Sequence, residues 1–330
     1  MIYGLVLRIR HLLYDKGWKK SFPAPLPAVS VGNITVGGTG KTPHVELVLR
    51  LLTENWKQPA VLSRGYKRKT KGFQRVPADG SALLYGDEPV QIARKFPDIT
   101  VAVDKDRIRG CEQLKDAGVI VLDDAFQYRR LKPALNIVLA DYNHPVFKDH
   151  LLPWGRLRDL PSRLKKADVV IVTKCPACLN EEERASWRKH LKLSDGQPLL
   201  FTTLRYASPV GVFPEADAHY VYSPKCILIT GIAHGKLFQD YLSDTYKIGR
   251  SFRLPDHHAY TRADVRKLES ATRQVPTACL MTTEKDAQRL RDCKNVPDAV
   301  RRRLFYVPIE AAFLTPEEEE TFSHILLAAL

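Results

Sequence analysis

The feature that most constrains the fold is the run Thr35-Val36-Gly37-Gly38-Thr39-Gly40-Lys41-Thr42, set between an apolar segment and a helical one. Residues 26–31 have the short, continuous apolar pattern of a buried strand, and residues 42–52 repeat their apolar side chains at helical spacing. Glycines let the connecting backbone turn so that successive N–H groups face inward, where phosphate oxygens would meet the positive end of the following helix. In that setting Lys41 reaches the β- and γ-phosphates of a nucleoside triphosphate and the Thr42 hydroxyl holds Mg²⁺. The strict pattern asks for glycine at position 35, where this chain has threonine. The bland alternative is a glycine-rich turn with a chance Lys-Thr, and the flanking strand and helix argue against it.

The same strand and helix alternation continues along the chain. Residues 60–63, 99–103, 119–122, 136–140 and 169–172 read as buried strands, with helical stretches near 88–95 and 105–117. Such alternation predicts a parallel sheet with helices on both faces. After Leu204 the pattern restarts, with strands at 226–230, 278–282 and near 304–307 and helices near 236–242, at 262–274 and up to Leu290. The expected fold is α/β: a P-loop NTPase-like parallel sheet flanked by helices, a second, smaller α/β domain, and an N-terminal amphipathic helix. The expected boundaries are an amphipathic segment at 1–20, a P-loop domain at 21–205, a proline-bearing linker at 206–224, and a smaller domain at 225–330 that closes over the active site.

Fifty-one Lys and Arg against 37 Asp and Glu give a net charge of +14 among 330 residues, which points to an anionic partner. Arg64, Lys67, Arg68, Lys69, Lys71 and Arg75 form one basic run; Arg156, Arg158, Arg163, Lys165 and Lys166 form another. Aromatic residues are not interleaved with them as a base-stacking platform requires, so no nucleic-acid partner is expected. Runs like these are usually solvated faces, but beside a phosphate-binding loop they also suit a phosphorylated substrate. No stretch of about 18 apolar residues is present to span a membrane. At the amino terminus, however, Ile2, Leu5, Val6, Ile9, Leu12 and Leu13 recur at helical spacing, and Lys16, Lys19 and Lys20 follow. That is the pattern of a helix lying in a membrane interface, or of one packed on the protein's own core. Cys175-Pro-Ala-Cys178 has half-zinc-site spacing without a second pair, and the six cysteines read as ordinary thiols.

Three further places carry chemistry. Residues 119–122 lead into Asp123-Asp124, carboxylates at a strand end beside the loop, where they fit a Mg²⁺ role. Asp87, in Gly86-Asp87-Glu88-Pro89, and His257, in Asp256-His257-His258, are groups able to accept a hydroxyl proton; from spacing alone Asp87 fits a helix cap equally well.

Taken in order, these pieces resemble the tetraacyldisaccharide 4′-kinases, the lipid A 4′-kinases of Gram-negative bacteria. The matching segments are Val31-Gly32-Asn33 leading into Gly37 to Pro43, Leu62-Ser63-Arg64-Gly65-Tyr66, Gly86-Asp87-Glu88-Pro89 and Asp123-Asp124-Ala125-Phe126-Gln127. They continue with Leu152-Pro153-Trp154-Gly155-Arg156-Leu157-Arg158, Gly231-Ile232-Ala233, Asp256-His257 and Thr283-Glu284-Lys285-Asp286, and together span nearly the whole chain. Thr35 is itself tolerated by this family's variant loop. The resemblance implies transfer of the ATP γ-phosphate to the 4′-hydroxyl of a lipid-linked glucosamine disaccharide 1-phosphate at the cytoplasmic face of the inner membrane. It implies that Asp87 and His257 cooperate, that Asp123, Asp124 and Gln127 are active-site residues, and that Arg64 and Arg158 serve the substrate. The family usually has Glu after the arginine at 158, a participant in Mg²⁺ coordination; here Asp159 is one methylene shorter. The rival reading is a P-loop ATPase or GTPase switch, for which Thr173-Lys174-Cys175-Pro176 lacks the Asn and Asp of a guanine-reading motif.

Overall fold

The computed structural model describes residues 2–55, 57–232 and 235–330; Met1, Trp56 and Ala233, which fall in segments named above, lie outside the described residues. Among the described residues the main sheet has nine strands. In chain order these are β1 (Ala28–Asn33), β2 (Pro59–Ser63), β3 (Gln74–Arg75), β4 (Thr100–Val103), β5 (Val119–Asp123), β6 (Leu135–Asp141), β7 (Val169–Thr173), β8 (Leu199–Tyr206) and, from far along the chain, β14 (Ile309–Phe313). Their order in space is β14-β8-β7-β6-β1-β5-β2-β4-β3, parallel except at the two edges. The strands β1, β2, β5 and β7 are buried at every residue, which is why they read as unbroken apolar runs rather than alternating ones.

The chain winds outward in both directions from β1, which lies between β5 and β6. This is the topological switch point, and ligands of such sheets bind at the carboxyl ends of the strands beside it. The phosphate-loop run leaves β1 at that edge and enters α2 (Lys41–Glu54). Val45, Val48, Leu49 and Leu52 of α2 are buried against the sheet, each contributing about 1.5–3 kcal/mol of apolar burial against the entropy of ordering.

A second sheet contains β9 (Val210–Gly211), β10 (Lys225–Thr230), β11 (Lys247–Arg253), β12 (Cys279–Thr283) and β13 (Leu304–Val307), in the order β9-β13-β12-β10-β11. The remaining helices used below are α3 (Asp87–Lys95), α4 (Arg107–Glu112), α5 (Glu181–Leu191), α6 (Gly235–Ser243), α7 (Arg262–Gln274), α8 (Glu284–Arg291) and α9 (Pro316–Ala328).

Two expected boundaries need correction. The supposed linker at 206–224 contributes β9 to the second sheet through Val210↔Tyr306 pairing. The smaller domain does not run to residue 330: β14 pairs antiparallel with β8, and Phe322 and Leu326 of α9 bury themselves in the main core. The apolar spacing of these segments fits either sheet, and only the pairing of β8 with β14 decides between them.

The amino-terminal helix, α1 (Ile2–Asp15), is inverted relative to an ordinary surface helix. Leu7 and His11 are buried, while Ile2, Leu5, Val6, Ile9 and Leu12 face outward. Polar groups hold its inner face. Tyr3 Oη donates to the Arg158 carbonyl (2.8 Å), an Arg10 guanidinium donates to the Gln127 carbonyl (2.6 Å), and His11 Nε2 lies 2.6 Å from Asp159 Oδ1. Among the described residues no helix is long and apolar enough to cross a membrane. All six cysteines are free, with Cys175 buried and Cys178 exposed.

Candidate active site

The loop after β1 is built to stay open. Gly37 and Gly40 have φ of 100° and 84°, left-handed backbone that side-chain-bearing residues rarely adopt, and a Cβ added at Gly38 would meet only open space. Asn33 Nδ2 donates to Thr39 Oγ1 (2.6 Å), and Thr173 Oγ1 at the end of β7 donates to the Thr39 carbonyl (2.9 Å), fixing the loop from two sides. Val36 N–H bonds the Arg156 carbonyl (2.8 Å), and the loop's start is paired through Thr35 and Leu157. Threonine at 35 therefore takes part in an extended bridge rather than a turn, which is why glycine is not required there. Lys41 and Thr42 open α2, and Thr42 is buried at the base of the loop.

His44 anchors the first turn. Its Nδ1 donates to the Gly40 carbonyl (2.7 Å), and Nε2 accepts from Thr202 Oγ1 of β8 (2.9 Å). Complete burial pushes its pKa down to about 4. It is therefore a neutral strut beneath the loop.

The end of β5 supplies the acids. Asp123 Oδ2 accepts from Ser63 Oγ at the end of β2 (2.8 Å), whereas its Oδ1 is buried without a hydrogen-bond partner among the described residues. Burial, reinforced by the charges of Glu88 and Asp124, raises its pKa to about 6. Asp124 sits at φ 52°, which turns its carboxylate toward Lys41 Nζ at 3.8 Å and toward a bidentate Arg158. Burial acts to raise Asp124, but the Arg158 hydrogen bonds and the Lys41 charge outweigh it and hold the pKa at about 2. Adjacent carboxylates thus differ in environment: Asp124 is neutralised by protein cations, and Asp123 is left wanting one. Arg158 also bonds the Asn33 carbonyl (3.2 Å), as does Gln127 Nε2 (2.7 Å), so both line the loop's exit.

The orphaned Asp123 oxygen, close enough to Asp124 and Lys41 to feel their charges, fits a divalent cation sharing its ligands with phosphate oxygens and water, a role needing only one or two carboxylates. Among the described residues no group of three or more His, Cys, Asp and Glu is arranged as a full metal cage, as Mg²⁺ bound in this way requires none. Asp159 Oδ1 is held by His11, 148 positions away, and by the Leu160 N–H (2.8 Å), which fastens α1, while its Oδ2 is buried without a hydrogen-bond partner among the described residues. Arg64 is exposed on the loop after β2.

Across the cleft, the second lobe brings His257 to Asp87. Gly86, at φ 100°, occupies the cap of α3 and Asp87 is its first helical residue, so the Asp87 carboxylate is not consumed by capping. His257 Nδ1 lies 3.1 Å from Asp87 Oδ2, although the two are 170 residues apart. His257 itself has φ 60°, and its backbone N–H bonds the Gly231 carbonyl (3.1 Å).

The frame behind it was not read from the sequence as a site. Buried Asp286 accepts from Gly231 N (3.0 Å), Tyr260 Oη (2.9 Å), Thr283 Oγ1 (2.6 Å) and Arg289 (2.6 Å). Lys285 pairs with Glu88, and Arg289 Nε lies 3.7 Å from Asp87 Oδ2. The signal was present in Thr283-Glu284-Lys285-Asp286, a capping threonine followed by charges, but only the tertiary fold shows what those charges face. Tyr128 Oη donates to Asp106 Oδ1 (2.8 Å) in the cap of α4. Lys174 is held by Asp141 (2.6 Å).

Known proteins resemble the chain over nearly its whole length. A family model described as tetraacyldisaccharide-1-P 4′-kinase matches residues 1–330. A tetraacyldisaccharide 4′-kinase of Phocaeicola vulgatus is 41% identical over 337 residues, covering 98% of this chain and 92% of the relative. One of Flavobacterium johnsoniae is 41% identical over 323 residues, covering 96% and 92%. The crystal structure of an "apo" form of LpxK from Aquifex aeolicus in complex with ATP superimposes with a TM-score of 0.77 at 27% identity, covering 99% of this chain and 96% of that one.

Proposed function

The chain belongs to the tetraacyldisaccharide-1-P 4′-kinase family and is an ATP-dependent kinase of lipid A biosynthesis, and from that premise we propose which of its residues carry the transfer. The observation that carries the reading is the meeting of Asp87 and His257 across the cleft, on the same sheet edge as the phosphate loop.

ATP lies with its phosphates on the backbone of Gly37 to Thr42, at the amino end of α2. Lys41 places its charge between the β- and γ-groups. Thr42, Asp123 and Asp124 would hold Mg²⁺, which would supply positive charge to neutralise the phosphates. Arg158 keeps Asp124 ionised and aimed at the loop, and Gln127 braces the Asn33 carbonyl. The 4′-hydroxyl of the acceptor disaccharide approaches Asp87. His257 Nδ1 and Arg289 Nε both approach Asp87 Oδ2, and Oδ1 takes the hydroxyl proton as oxygen attacks phosphorus in line. His257 orients Asp87 through Nδ1. Most of the rate comes from positioning and charge, since the transition state of phosphoryl transfer is loose.

The outward apolar face of α1 supports a place for the enzyme on the cytoplasmic face of the inner membrane. There the helix lies in the interface and the basic segments, Arg64 among them, meet anionic head groups and the substrate phosphate. The second lobe closes over the nucleotide. Lys41→Ala tests the nucleotide assignment: kinase activity on the detergent-dispersed acceptor falls at least a hundredfold, and retention of full activity would remove the loop from the mechanism.

A further inference from the structure

Two cations stand one helical turn apart on α8, where side chains four residues apart share a face. They meet two adjacent carboxylates on the first turn of α3: Lys285 Nζ pairs with Glu88 Oε1, and Arg289 Nε lies 3.7 Å from Asp87 Oδ2. The start of α8 is also tied to the segment bearing His257. Asp286 holds Gly231 N, Arg289 donates to the Gly231 carbonyl (3.0 Å), and that carbonyl also takes the His257 N–H. Whatever seats α8 on α3 therefore sets the distance between His257 and Asp87.

We propose that Lys285 is a positioning residue for phosphoryl transfer: with Arg289 it forms a two-cation clasp on Asp87-Glu88 that fixes His257 Nδ1 against Asp87. The inference rests on Asp87 and His257 being the proton-handling pair. The clasp is not needed merely to dock the lobes. Farther from the cleft, Arg94 bonds Gln288, and Asp292 accepts from Ser81 Oγ (2.9 Å) and Leu83 N (3.1 Å). At the cleft the setting is different, because Lys285 feels the carboxylates of Asp87, Glu88 and Asp123 together. Burial acts to lower its pKa, but Glu88 outweighs burial and keeps it raised. The Lys285 charge is the chief cause holding Glu88 below the ordinary glutamate range. The pair thus stays ionised and directional beside the reacting groups.

The test is steady-state kinetics of the full chain with ATP and a detergent-dispersed disaccharide 1-phosphate acceptor. Lys285→Met lowers kcat about 10- to 100-fold and leaves the KM for ATP within about threefold, the size expected for a misplacement near 1 Å. Glu88→Gln, which keeps the shape of the side chain, gives the same loss, and the double variant is no worse than either alone. Lys285→Arg recovers most of kcat. Asp292→Ala, at the far fastener, leaves kcat unchanged. A kcat for Lys285→Met within twofold of the parent overturns the proposal, as does a loss appearing wholly in the KM for ATP, which would make Lys285 a phosphate ligand. Additive losses in the double variant also overturn it. If Lys285→Met fails to fold, Glu88→Gln and Lys285→Arg decide the matter by the same criteria. Asp87→Asn in the same assay separates the two levels: full activity there removes the proton-handling pair itself, whereas an inactive Asp87→Asn beside an unimpaired Lys285→Met removes only the clasp.

Discussion

Replacing Leu5, Ile9 and Leu12 of α1 by serine should detach the enzyme from lipid without harming its chemistry. These side chains are 58, 49 and 52% exposed, so roughly half of each is free to enter a bilayer interface. Full burial of such a side chain is worth about 1.5–3 kcal/mol, and half of it about 1 kcal/mol. The triple variant therefore loses about 3 kcal/mol of membrane transfer, equivalent to a partition coefficient roughly a hundredfold lower. The inner face, through Tyr3, Arg10 and His11, is untouched, so the helix stays docked and Tm is nearly unchanged. Sedimentation with vesicles containing anionic lipid reads the binding, and turnover of detergent-dispersed acceptor reads the chemistry. A binding loss below about threefold would refute the reasoning. A large fall in Tm would also refute it, by showing that the face packs on protein.

His44 gives stability a specific pH dependence. Its pKa falls from 6.5 to about 4 on folding, so between those values the unfolded chain binds a proton that the folded chain refuses. Stability should fall as pH drops from 6.5 toward 4, by up to about 3 kcal/mol, and urea midpoints of the protein and of His44→Gln should differ in slope across that window. At Asp123, the proposed Mg²⁺ ligand, Asp123→Asn should raise the Mg²⁺ concentration for half-maximal activity at least tenfold. An unchanged Mg²⁺ titration would place the cation elsewhere.

The central strands were legible because strands buried on both faces are continuous apolar runs, and 169–172 differs from β7 by a single residue. Helix α7 and strand β13 have the expected bounds. The edges were not legible. Strand β11 reads Lys-Ile-Gly-Arg-Ser-Phe-Arg, with most positions exposed, and its pairing with β10 supplies what its sequence lacks. The return of β14 and α9 to the first sheet depends on partners about a hundred residues away.

The site divides the same way. Gly37 to Thr42 and Asp123-Asp124 are local patterns at a strand end, whereas Asp87 with His257, and Asp159 with His11, are juxtapositions made only by the fold. Spacing alone left Asp87 as a possible helix cap; Gly86 occupies that position instead and frees the carboxylate.

The most direct test of the account is single-turnover phosphoryl transfer by Asp87→Asn, with ATP binding measured separately. The substitution keeps the side chain's shape and its place at the start of α3 but removes the proton acceptor. A base of the ordinary kind contributes 10²- to 10⁴-fold, so the rate should fall by about that factor while ATP binds as before. A loss below about tenfold, with His257 and the loop intact, would contradict the assignment of Asp87 as the group that takes the hydroxyl proton.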